Sequence, residues 1–182
     1  GIRKGEQVAR QVNSSVRSIG VDTWGVDFGL LDRFGQLLDA PRCYRDGRNE
    51  AAFRKTITRV GLESLYERTG IQFMPLNTLF QLVAERDDDR AMLDRAERLL
   101  FMPDLIHYFL SREMQTELSI AATSQMLDAR TNEWSQELLT ELRLPVRILG
   151  GIVEPGTRIG TIDPSLAGLL GLAESCAIIA PA

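Results

Sequence analysis

Between Ile19 and Asp32 the chain reads IGVDTWGVDFGLLD, and Asp22, Trp24, Gly25 and Asp27 interrupt an otherwise apolar run. Carboxylates accept hydrogen bonds from hydroxyl groups, an indole offers a flat apolar wall, and glycine lets a ligand approach the backbone. That mixture suits a polyol or a sugar. The plain alternative is a turn, with solvated carboxylates at strand edges and a packed indole. A second group, YRDGR at 44–48, repeats the theme. Tyr44 would add another wall, while Arg45, Asp46 and Arg48 either face the same pocket or form a salt-bridged turn ahead of a helix. Gln72 and Asn77 flank FMPL, where amides cap a helix start or recognise hydroxyls.

The other titratable residues carry less. His107 lies in an apolar helical stretch and reads as a satisfied core residue rather than a base. Asp87-Asp88-Asp89 reads as a solvated helix face or break, because calcium loops need ligands at set alternating positions together with a glycine. With two distant cysteines, Cys43 and Cys176, and one histidine, a Cys/His zinc site is excluded, and no metal site is expected. Two cysteines in a chain of this size point to a reducing cytoplasm. No GxxxxGK[ST], GxGxxG or GxSxG motif occurs, so no residue is assigned to a nucleotide cofactor.

Composition sets the outer bounds. The 182 residues are 44% hydrophobic and 25% charged, enough for one core and one domain or domain fragment. The net charge is −4, and the 21 basic residues, nearly all arginine, are scattered among acids. No basic face for nucleic acid emerges. No run of about 18 apolar residues and no charged-then-apolar leader is present, so membrane contact is not expected and a cytoplasmic location is.

The elements that must position these residues mix both types. A helix end is expected over 6–13, strands over 18–23 and 26–31, a turn at DRFGQ, and a third strand from about 36 to Tyr44. Apolar stripes at Phe53, Ile57, Val60 and at Leu76, Leu79, Phe80, Val83 mark helices. A further helix follows Pro103 with Asp104 as its cap, and another carries Trp134, Leu138, Leu139 and Leu142. Past Pro145 the chain turns β-like with a turn at Pro155-Gly156, and a short helix leads to a buried strand at 176–180. The class is α/β or α+β with an early meander. The chain opens on a helix tail and stops after an apolar strand, which reads as an excised piece.

Three stretches carry a family resemblance: IGVDTWGVDFGLLD followed by YRDGR, then YERTGIQFMPLNTLFQL, then LLFMPDLIHYFLS. With the A-T-S-Q segment at 122–125 and EPGTRIG at 154–160, they resemble the FGGY carbohydrate kinases, and within them the rhamnulokinase branch. The likeness runs from about residue 16 to the end. It implies an α/β, ribonuclease H-like (actin-like ATPase) domain of a two-domain sugar kinase. It further implies transfer of a phosphoryl group from ATP, with Mg²⁺, to L-rhamnulose, giving L-rhamnulose 1-phosphate. By resemblance Gly25 contacts the ketose, with Trp24, Asp27, Tyr44 and Asn77 around it. The family's first strands with their phosphate-binding turn would precede residue 1. Its catalytic aspartate would follow Ala182, and its second domain would come after that, so no catalytic or cofactor-binding residue is expected in 1–182. Other ketoses (xylulose or fuculose), a non-catalytic sugar-binding module, and a metal nuclease using Asp22 and Asp27 are the competing readings, the last weakened by the missing basic groove.

Overall fold

The computed structural model describes residues 1–181; Ala182 lies outside them. Helix α1 (Ile2–Gln11) is amphipathic and starts earlier than the expected 6–13. Its buried Glu6 accepts hydrogen bonds from Arg10 Nε and the Val16 backbone N–H, both at 2.8 Å, which ties the helix to the next strand. Strands β1 (Ser18–Ile19) and β2 (Phe28–Leu31) are shorter than their apolar runs, because 20–27 leaves the ladder.

All four residues of β2 are buried, so both of its faces are covered and apolar alternation understates its burial. The turn at Asp32–Gln36 forms as expected, with the Asp32 N–H donating to the Gln36 carbonyl at 2.8 Å. The third strand does not. Only an isolated bridge, Leu31 to Leu37, follows the turn. Pro41 has no N–H to give a ladder, and Asp39 turns its carboxylate back onto the Ala40 N–H at 2.8 Å. The partner of β2 is instead β3 (Arg98–Phe101), antiparallel, with Phe28 opposite Phe101 and Leu31 opposite Arg98. The early meander is therefore replaced by a pairing across almost 70 residues.

Between them lie α2 (Arg48–Val60), α3 (Leu62–Thr69), α4 (Thr78–Asp88) and α5 (Arg90–Arg95). Helix α4 is buried from Thr78 to Glu85. Phe53 of α2 meets its Phe80 edge to face, ring centroids 4.9 Å apart. Phe28, Leu30, Leu99 and Phe101 join the same core. Asp88 ends α4, and Asp89 caps α5 by accepting from the Met92 N–H, so the aspartate run is a helix break.

Helix α6 (Met102–Ser111) begins earlier than expected. Pro103 sits in its first turn, where a missing N–H costs nothing, and Asp104 lies inside that turn, buried, instead of capping it. After it come β4 (Thr116–Glu117), α7 (Leu118–Ala122), α8 (Gln136–Glu141), a 3₁₀ turn (146–148), β5 (Ile152–Val153), β6 (Arg158–Thr161), α9 (Pro164–Leu170) and β7 (Ala177–Ile179). Strand β7 is central in the order β1-β7-β6, parallel to β1 and antiparallel to β6. This sheet holds a second core around Ile162, Cys176 and Ile178, to which α6 adds Leu110. Among the described residues no helix is long and apolar enough to cross a membrane.

The tip of the β2 turn supplies a stability test. Gly35 has φ 74°, and a Cβ there would lie 2.0 Å from Tyr108 Oη, which donates to the Gly35 carbonyl at 2.9 Å. Gly35→Ala combines a left-handed alanine, costing about 1–2 kcal/mol, with a displaced hydrogen bond worth about 1 kcal/mol. Urea unfolding is expected to show a loss of about 2–3 kcal/mol. An unchanged midpoint would remove the Tyr108 contact from this account.

Candidate functional site

The segment between β1 and β2 turns on Val26. Its φ of 71° lies in the left-handed region, where a β-branched residue is an outlier. The Asp27 N–H donates to the Gly25 carbonyl at 3.0 Å, closing a γ-turn of the strained hand, at a cost of about 1–2 kcal/mol. The turn is held from outside. The Val26 carbonyl accepts from Thr78 Oγ1 at 2.7 Å and from Gln81 Nε2 at 3.1 Å, both on α4. The Asp27 carbonyl accepts from the Met102 N–H at 3.2 Å.

This reversal folds Asp27 back beside Trp24, whose Nε1 donates to Asp27 Oδ2 at 2.8 Å. The two line an open cavity of about 630 Å³ with Pro41, Arg42, Cys43, Tyr44 and Met102. Asp27 is 4% exposed and Trp24 53%, so the carboxylate forms the floor and the indole a projecting wall. Asp27 Oδ1 is buried without a hydrogen-bond partner among the described residues. A buried carboxylate oxygen with nothing to accept from is costly. Three of the five expected sugar-contacting residues thus meet in one cavity.

The other two do not line it. Gly25 sits on the same turn, and a Cβ there would lie 3.0 Å from Thr123 Oγ1 and 3.3 Å from Thr123 Cβ, pressing on the end of α7. Asn77 is 1% exposed and precedes α4. Its Nδ2 donates to Gln125 Oε1 at 2.8 Å and to the Gln72 carbonyl at 3.0 Å, so its amide nitrogen is spent inside the protein. Of YRDGR only Tyr44 lines the cavity, and Asp46 with Arg48 forms the salt-bridged turn. Tyr44 faces the cavity, with Arg45 over its ring. Asp46 accepts from Arg48 Nε at 2.9 Å, and hydrogen bonds from Arg48 hold its carboxyl below the usual range.

Sequence reasoning missed Arg42, Cys43 and Met102. Arg42 links the cavity to α4, its Nε lying 3.1 Å from the buried Glu85 Oε1, an oxygen shared with Arg48 Nη2 at 2.9 Å. Cys43 precedes Tyr44, and Met102 stands in the FMPD stretch at the β3–α6 junction; neither carries a sequence pattern that announces a wall.

Asp22 belongs elsewhere. With Asp104, His107 and Glu117 it lines a cavity of about 30 Å³ near Pro181, room for a water. Asp22 and Asp27 therefore do not converge, which removes the nuclease arrangement, and no group of three His, Cys, Asp or Glu that could hold a metal forms among the described residues. His107 Nε2 accepts from the Val21 N–H at 3.0 Å, while its Nδ1 and Asp104 Oδ2 are buried without partners. Burial holds the His107 pKa below its ordinary value. Burial, reinforced by the Glu117 charge, pushes Asp104 up to about 8.

Between about pH 4, the ordinary carboxylate value, and about pH 8, the folded chain keeps a proton on Asp104 that the unfolded chain has released. Stability contributed by this group is present at low pH and falls as pH rises through that window. Asp104→Asn, which stays neutral, is therefore expected to gain on the wild type steadily from pH 5 to pH 8 in urea unfolding. His107 is common to both proteins and cancels in the difference. A pH-independent difference would show that Asp104 is ionised in the fold.

Comparison with known proteins agrees with this geometry. The profile of the "FGGY family of carbohydrate kinases, N-terminal domain" matches residues 3–182. The rhamnulokinase of Enterococcus faecalis is 43% identical over 159 residues, covering 87% of this chain and 32% of that protein. The rhamnulokinase of Bacteroides thetaiotaomicron is 41% identical over 158 residues, covering 87% of this chain and 33% of that protein. This chain thus spans about a third of the length of these curated relatives. The crystal structure of xylulose kinase from Rhodospirillum rubrum superposes with a TM-score of 0.90 at 18% identity, over 100% of this chain and 38% of that one. The gluconate kinase of Lactobacillus acidophilus gives 0.88 at 20% identity, over 97% and 36%. These structural likenesses show the fold, that of the actin-like sugar kinases. On the profile match and the curated relatives together, the chain belongs to the FGGY family of carbohydrate kinases, as its N-terminal domain.

Proposed function

We propose that this chain is the sugar-binding part of an ATP-dependent kinase that phosphorylates L-rhamnulose to L-rhamnulose 1-phosphate, with the ketose held in the Trp24–Asp27–Tyr44 cavity. The single observation that carries the sugar reading is Asp27: a buried carboxylate among the residues lining the cavity, anchored through Oδ2 by the Trp24 indole, with Oδ1 unpartnered. A hydroxyl donating to Oδ1 completes the set. The Trp24 and Tyr44 rings and the Met102 side chain cover the apolar face of a small carbohydrate. The curated relatives named rhamnulokinase favour L-rhamnulose among ketoses.

The described residues do not fit ATP or Mg²⁺. They contain no glycine-rich phosphate loop and no carboxylate cluster for a metal. The reading therefore assigns the nucleotide, the ion and the catalytic aspartate to other parts of a longer kinase, and no step of transfer is routed through this chain. What the chain does is bind and orient the acceptor, the positioning share of phosphoryl transfer. The cytoplasm, where ATP is supplied and thiols stay reduced, fits two unpaired cysteines, Cys43 exposed and Cys176 buried.

Asp27→Asn keeps an acceptor for the indole but aims an amide donor at the ligand. In a kinase carrying this domain, sugar affinity should fall by about 1.5–3 kcal/mol, with the KM for ATP nearly unchanged. Steady-state kinetics with each substrate varied separately decides it, and an unchanged ketose KM removes the sugar from this cavity. The isolated 182-residue chain should release no ADP from ATP with L-rhamnulose, L-fuculose or D-xylulose. Turnover by the purified chain would mean that the catalytic base lies within it.

A further inference from the structure

We infer that Thr78 and Gln81 are positioning residues for the sugar site: they touch no part of the cavity but hold the strained Val26 turn that aims Trp24 and Asp27 into it. The inference rests on the proposed sugar site and adds to it the residues that set its geometry.

The γ-turn leaves the Val26 carbonyl outside any sheet ladder, and Val26 itself is 7% exposed, so water cannot readily satisfy that oxygen. Thr78 Oγ1 and Gln81 Nε2 satisfy it from the first turn of α4. Both side chains are buried, Thr78 fully and Gln81 to within 5%. Gln81 is itself oriented by a second bond, from Nε2 to the Leu76 carbonyl at 2.8 Å. Neither residue is among those lining the cavity. A left-handed valine persists only where its surroundings over-determine it. Remove the donors, and the peptide after Val26 gains by rotating toward the extended region. That rotation carries the Asp27 carboxylate away from the indole and from the cavity floor. The effect reaches the sugar through the backbone, not through contact.

The test has two arms. In the isolated chain the indole N–H groups of Trp24 and Trp134 have different acceptors, Asp27 Oδ2 and the Gly150 carbonyl, so their ¹H–¹⁵N resonances report separately. Thr78→Val, which keeps shape and deletes the donor, and Gln81→Met are each expected to shift or broaden the Trp24 indole signal while leaving that of Trp134 in place. Thr78→Ser should restore it. In a kinase carrying this domain, both variants should raise the ketose KM about tenfold, the loss of one buried hydrogen bond, with the ATP KM changed less than about twofold and Thr78→Ser near wild type. An unmoved Trp24 resonance and an unmoved ketose KM in both variants, even with a lowered melting temperature, would overturn the inference and leave the two residues a purely structural role. A moved resonance with a flat ketose KM would instead uphold the clamp and remove the sugar from the cavity.

Discussion

A single carbonyl oxygen, that of Val26, organises this domain's most chemical region. It accepts two side-chain hydrogen bonds from α4 while its residue stands in a backbone region that valine avoids. The strain is local, but its support is not. Helix α4 must be buried along most of its length for Thr78 and Gln81 to reach inward, and that burial comes from α2 and from the core around β2 and β3. The turn is pinned further by the Met102 N–H at the start of α6 and by Thr123 against Gly25. Three elements distant in sequence converge on three consecutive residues, Gly25 to Asp27.

The opposite wall of the cavity is held by charge. Arg42 and Arg48 share one oxygen of Glu85, itself almost wholly buried. A carboxylate buried alone would be costly, but two guanidinium partners offset the loss of water. Because Arg42 and Tyr44 lie within three positions of each other, fixing the arginine on α4 also limits where the tyrosine ring can stand. Helix α4 thus serves both walls: its first turn holds the Val26 reversal, and its last buried residue holds the arginines.

Helix α6 plays the corresponding part between the two cores. Leu105 and Tyr108 pack with Leu31 and Leu100 of the β2–β3 pair, while Leu110 faces the β1-β7-β6 sheet. Its Asp104 and His107 are then caught at the seam, beside Val21 and Pro181 at the ends of β1 and β7. Their burial without full hydrogen bonding follows from the helix serving two cores at once.

Residue types and spacing alone determined a good deal. The DTWG–VD stretch and YRDGR stood out as a candidate site, because carboxylates and an indole are rare within apolar runs, and Trp24, Asp27 and Tyr44 do share one cavity. The helical stripes, the DRFGQ turn and the terminal strand follow from local periodicity and glycine placement, which need no partner. What only the tertiary structure decided is which neighbour each segment meets. Strand β2 pairs with β3 rather than with the residues after its own turn, since Pro41 and Asp39 spoil that edge while Leu99, Leu100 and Phe101 need burial. Asn77 and Asp104 look like caps or ligands in one dimension and are buried in three. Glycine at 25 reads as room for a ligand, and in the fold a side chain there would also press on Thr123. Burial and hydrogen-bond pairing are properties of contacts between distant segments, and no local pattern encodes them.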